Sequence, residues 1–105
     1  MTLEQFRDVL LGVTEKTYHN EAQGDIAQEH IIWQETGKRA LHGDDMRTEV
    51  VWEIQIDVYT KDEYSPLPEK LQMALEENDI AFSDPVITYE RETGLTRCII
   101  ECEVI

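Results

Sequence analysis

From Val50 to Val58 the side chains alternate in character, with Val50, Trp52, Ile54, Ile56 and Val58 at one set of positions and Glu53, Gln55 and Asp57 between them. Successive side chains of an extended chain point to opposite faces. A nine-residue run of this kind therefore reads as a strand with one dry face and one wet face. The dry face needs a cover, and the rest of the chain has to supply it.

Two segments can do so. Thr2-Leu3-Glu4-Gln5 has the form of a capping box, and Leu3, Phe6, Leu10 and Val13 follow at helical spacing with Val9 beside them. This predicts a first helix from Leu3 to about Lys16, weakened but not broken by Gly12. A second helix is expected from Pro66 to about Asn78. Ser65 is its N-cap, Pro66 its first residue, and Leu67, Leu71, Ala74 and Leu75 its apolar stripe. Around these, His30–Glu35 reads as a short strand closed by a turn at Thr36-Gly37-Lys38, Arg39–Arg47 as a loop, and Thr17–Gln28 as a polar connection. Val86–Glu90 and Leu95–Val104 read as a hairpin turning at Glu92-Thr93-Gly94, with Cys98, Ile100, Cys102 and Val104 inward and Glu101 and Glu103 outward. The expected fold is one α+β domain over residues 1–105. It has the order α-β-β-α-β-β, an antiparallel four-stranded sheet with two helices on one face.

A chain of 105 residues hides roughly two-thirds of its unfolded surface, enough for a core without disulfides or metal. Cys98 and Cys102 share one strand face about 13 Å apart, beyond disulfide reach, so they are expected to be reduced core residues of an intracellular protein. No apolar run has the length of a membrane span, and the first residues do not read as a signal peptide. The net charge of −14, from 23 acidic residues against nine Lys and Arg, repels phosphate backbones and anionic lipid alike. Nucleic acid and membrane are therefore not expected as primary partners.

No residue pattern points to chemistry. His19, His30 and His42 lack the paired spacing of metal ligands, and Asp44-Asp45 lacks the further oxygen donors of a hard-cation site. The five glycines are scattered and form no phosphate cradle. Glu53, Asp57, Glu101 and Glu103 are read as solvated acids on outward strand faces rather than acid–base pairs. Trp52 belongs to the dry stripe. Trp33 is open to reading as an interface anchor, a role in which tryptophan is enriched. No catalytic residue, cofactor or metal is expected, and no enzyme.

The run Trp52-Glu53-Ile54-Gln55-Ile56-Asp57-Val58-Tyr59-Thr60, a polar break, the Leu67–Leu75 helix and a hairpin with Thr88-Tyr89-Glu90-Arg91-Glu92-Thr93-Gly94 resemble the tail-terminator and tail-completion proteins of long-tailed bacteriophages and prophages. Ile31-Ile32-Trp33 is similar to their first strand. The likeness covers about Ile31 to Ile105 as a pattern of elements. It departs from the group in a short chain and in Asn78-Asp79-Ile80, where a glycine is often found.

The resemblance implies a structural protein that closes a ring of six copies on the tail tube and helps join tail to head. Its partners would be itself, the tail-tube protein and the head-connector protein, with DNA only as passing cargo. It would be found in the bacterial host cytoplasm during assembly and then in the virion tail or neck. On this reading the interface residues are His42, Asp44, Asp45 and Arg47 in a loop from Lys38 to Thr48, with Trp33, Glu53, Asp57, Glu101 and Glu103 as second choices. Two other readings fit the same sequence. One is an acidic DNA mimic, for which competition by DNA would speak; the other is a small regulatory or ligand-binding domain, for which stabilisation by a metabolite would speak.

Overall fold

A computed structural model describes residues 1–24, 27–43 and 46–105, with the backbone alone for 41–43 and 46–48. Helix α1 spans Leu3–Val13, strand β1 Thr17–His19, β2 His30–Gly43, β3 Met46–Thr60, α2 Leu67–Glu77, β4 Ala81–Phe82, β5 Val86–Glu90 and β6 Leu95–Val104.

The architecture is α+β, with two helices and a mixed six-stranded sheet in place of the expected antiparallel four. The order across the sheet is β1-β2-β3-β6-β4, and β5 also pairs with β6. All pairings are antiparallel except β1 with β2. β1 falls inside the segment read as a polar connection. Its three residues are too few to show a period, and tertiary pairing alone makes them a strand: Ile31 N–H donates to Lys16 O at 2.9 Å and Asn20 N–H to Trp33 O at 2.9 Å. β4 and β5 lie along one margin of β6. Phe82 pairs with Cys102 and Val86 with Ile99, so one extra residue is taken up across Ser83-Asp84-Pro85, a bulge that the proline makes natural.

The largest correction concerns β2 and β3. The expected turn at Thr36–Lys38 is a bulge between Glu35 and Gly37, and strand pairing continues to Gly43↔Met46. Lys38–Gly43 and Met46–Thr48 are therefore strand rather than loop. β3 pairs with β6 only from Trp52↔Val104 onward. The β2–β3 ribbon thus runs past the end of β6, and the molecule measures 51 × 25 × 24 Å.

Both helices cover one face of the sheet. Phe6 and Leu10 of α1 and Leu67, Leu71 and Leu75 of α2 pack with Ile31, Trp33, Ile54, Ile56, Val58, Cys98, Ile100, Cys102 and Val104. Of the predicted dry stripe, Ile54, Ile56 and Val58 lie in this core and Trp52 packs against it, whereas Val50, out on the ribbon, does not join it. Thr2 caps α1 as expected: its backbone N–H donates to Gln5 Oε1 at 2.8 Å and Gln5 N–H to Thr2 Oγ1 at 3.1 Å. The helix ends at Val13, short of Lys16, because Thr14 turns extended (φ −152°, ψ 140°). Thr17 Oγ1 then donates to Thr14 O at 2.7 Å. α2 starts one residue later than expected, with Pro66 at the cap position, yet Ser65 Oγ still accepts from Leu67 N–H at 3.2 Å. At its far end Asp79 takes φ +55°, Ile80 N–H donates to Leu75 O at 2.9 Å and Asp79 N–H to Glu76 O at 3.1 Å. This is a Schellman ending with aspartate where glycine is usual.

Candidate functional site

The sheet face away from the helices carries the outward positions of β3 and β6. Register sets Glu53 opposite Glu103, Gln55 opposite Glu101, Asp57 opposite Ile99 and Tyr59 opposite Arg97. Like charges facing across strands are unfavourable, and Glu53 with Glu103 is such a pair. The bulge at Gly37 resolves it. An extra residue inverts which face the rest of β2 presents, so Arg39 stands on the acidic face. Its Nη2 lies 2.8 Å from Glu103 Oε1 and its Nε 3.5 Å from Glu53 Oε1. All three side chains are about half exposed, so each contact is worth no more than about 1 kcal/mol. The effect is to hold two acids side by side. Beside them lies a depression of about 570 Å³ whose lining includes Thr36, Glu53, Phe82, Ser83, Glu101 and Glu103.

Gly37 itself packs tightly here, for a Cβ at that position would meet Glu53 Oε2 at 2.6 Å. On the opposite face Lys38 sits over the Trp52 ring at 5.0 Å, the cation–π contact that the inverted alternation allows.

Glu53, Glu101 and Glu103 are exposed, as expected, whereas Asp57 is not the solvated acid the sequence implied: it is 6% exposed. Its Oδ2 accepts from Arg97 Nη2 at 2.8 Å and its Oδ1 from Gln55 Nε2 at 3.0 Å. A carboxylate withdrawn from water needs such partners. Burial opposes the charge on Arg97, but the hydrogen bond and charge of Asp57 outweigh it and raise the guanidinium pKa. Its Nε is buried without a hydrogen-bond partner. Burial likewise raises the Tyr59 phenol, with Arg97 pulling the other way and Asp57 and Glu90 adding to the rise.

Trp33 is no exposed anchor. It is 3% exposed, edge-on to Phe6 with centroids 5.4 Å apart, and covered by the His19 ring stacked at 4.1 Å. His19 Nε2 meets Glu35 Oε2 at 2.8 Å, so β1 is fastened to the helix-side face through a histidine. His30 lies on the opposite face, stacked on Tyr59 at 4.6 Å with Nδ1 2.7 Å from Gln28 O. His19 and His30 are thus separated by the sheet and share no ligand position. Among the described residues no three His, Cys, Asp or Glu side chains are placed to hold a metal.

Of the proposed loop residues, Asp44 and Asp45 lie outside the described residues. So do the side chains of His42 and Arg47, although their backbones pair directly. Arg39 and Arg97, which organise the acidic face, were not singled out from the sequence. Gly37 was the available signal for Arg39, because a glycine inside a strand pattern marks a bulge. Arg97 has none, since its partner Asp57 is 40 residues away. Among the described residues no helix is long and apolar enough to cross a membrane. The sequence matches no family model, and no curated protein matches it.

Proposed function

We propose that this chain is a structural assembly protein of a phage or prophage tail, closing a ring on the tail tube and contributing to the join between tail and head. The observation that carries the reading is the β2–β3 ribbon. About six residues of β3 precede its pairing with β6 at Trp52, an arm of roughly 20 Å at strand rise. A two-stranded ribbon is marginal in water by itself, so an arm of this length is best supported by the surface of a neighbour. A contact of arm with body joins two different patches, and such heterologous contacts form a ring when the rotation between copies closes.

Charge limits how that ring is built. Six copies at −14 carry −84, which is tolerable only where acidic faces meet solvent, lumen or basic partner surfaces. The Glu53–Glu101–Glu103 face fits a lumen that DNA passes without sticking, or a basic surface on the tail-tube or head-connector protein. The reading involves no catalytic step and no cofactor.

Mixing the protein with polymerising tail-tube protein tests it. Tubes should stop growing at a capped end, and the cap on each tube should hold six copies of the 12.2 kDa chain. Tubes that lengthen unchanged, with no complex between the two proteins, would sink the reading.

A further inference from the structure

The sheet ends at β5 on an edge that the helices do not cover. Val86, Ile87 and Tyr89 are 60%, 67% and 65% exposed. Ile87 continues a core row of the helix-side face, since Val58 pairs with Cys98 and Cys98 with Ile87, and Tyr89 lies on the same face opposite Thr96, which pairs with Thr60. The apolar layer therefore runs out to the margin at Ile87, which among the described residues is left 67% exposed. Exposed edges are normally blunted by charge, proline or a bulge within the strand. Here the bulge and Pro85 come before β5, and Val86-Ile87-Thr88-Tyr89 is uncharged in a chain of net charge −14. At the other margin β1 has only three residues, and the β2 edge beyond it carries Glu35, Lys38 and Arg39.

We propose that β5 is a self-association strand: two copies of this chain pair their β5 edges antiparallel about a twofold axis through Thr88. The five-residue strand is complementary to itself in this register. Ile87 faces Tyr89 of the second copy, an aromatic with a β-branched residue; Thr88 faces Thr88; Val86 faces Glu90, so no like charges meet. Two copies otherwise repel, and the uncharged run Val86–Tyr89 is where they can approach. A twofold patch is used up by one partner, so this contact stands apart from a heterologous ring contact and does not rest on the ring reading. Pairing of five residues a side buries far less than a standard interface, so the dimer is weak and concentration-dependent.

The test is equilibrium sedimentation of the full chain up to about 0.5 mM, a range suited to a contact this small. The weight-average mass should rise from 12.2 kDa toward twice that value. I87K/Y89K, which sets lysine against lysine across the axis, should stay monomeric with an unchanged melting curve, since both positions are exposed. I87K/Y89E, which sets lysine against glutamate, should restore the dimer. Under mild oxidation Thr88→Cys should give a disulfide-linked dimer, because directly opposed residues lie within disulfide reach. Val86→Cys, displaced from its own copy by about 13 Å, should not. A wild-type chain that stays monomeric throughout, dimers that survive I87K/Y89K, or equal cross-linking at both cysteine positions would overturn the proposal. So would a hexamer lost in I87K/Y89K, because β5 would then be part of a ring contact.

Discussion

Cys102 sits under the helices on β6, and its burial, with Glu103 beside it, pushes the thiol pKa from 9.0 up to about 12. Burial, with Asp57 nearby, raises Cys98 as well. Both thiols are free. In the unfolded chain they ionise at their ordinary value while in the fold they stay protonated. The contribution of Cys102 is fully present below pH 9.0 and is lost as pH climbs from there toward about 12; Cys98 adds to it with the same sign. Urea unfolding midpoints should accordingly fall through this alkaline window, as the unfolding free energy drops by up to about 1.4 kcal/mol per pH unit for Cys102. Cys102→Ala should flatten that limb; an equally steep limb in the variant would show that other groups carry it. Tyr59, also raised, contributes with the same sign. The inward cysteines were legible from alternation alone. Asp57 was not, because alternation says which face a residue takes and not whether a distant Arg97 has drawn that part of the face out of water.

At the level of elements, the helix ends show how local chemistry sets boundaries. Thr2 and Gln5 stop α1 at one end as their spacing dictates, and the Schellman ending of α2 forms although no glycine is available. Asp79 holds φ +55°, a left-handed conformation that disfavours residues with a Cβ. Asp79→Gly should raise stability by about 0.5–1 kcal/mol, read as a higher urea midpoint with an unchanged slope. A lower midpoint would mean that the aspartate side chain does more for the turn than relieved strain returns. The strand reading went astray at Gly37 and Gly43. Glycines and polar residues between apolar runs usually mark turns, and here they lie in paired strands. A bulge and a turn have nearly the same composition; whether the chain doubles back or carries on is decided by what lies across the ladder, in this case residues 46–53 of β3.

For the molecule as a whole, charge and shape act together. Nine basic residues cannot neutralise 23 acids, and much of the acid lies on exposed surfaces where repulsion acts over a Debye length. Raising salt from about 0.01 M to about 0.15 M shortens that length from about 30 Å to about 8 Å. The melting temperature should therefore rise with sodium chloride over this range in a calorimetric scan. A fall would mean that attractive pairs such as Arg39 with Glu53 and Glu103 outweigh the net repulsion. The same screening should favour any contact between copies, whether through the ribbon or through β5.

The sequence by itself determined the α+β character, the capping of α1, the stripes of both helices and the inward positions of β3 and β6, because each is a local periodicity or a contact between residues three or four apart. Only the tertiary structure decided that Thr17–His19 becomes a parallel strand, that β2 and β3 extend into a ribbon, that Asp57 is buried against Arg97 and that β5 is left open. The parallel strand and the buried Asp57 depend on partners 14 and 40 residues away along the chain, and the ribbon on a ladder whose pairs run from three residues apart at Gly43↔Met46 to 29 at His30↔Tyr59. Backbone groups at such positions adopt whatever pairing satisfies their hydrogen bonds in the assembled sheet, and no short window of residues encodes that choice.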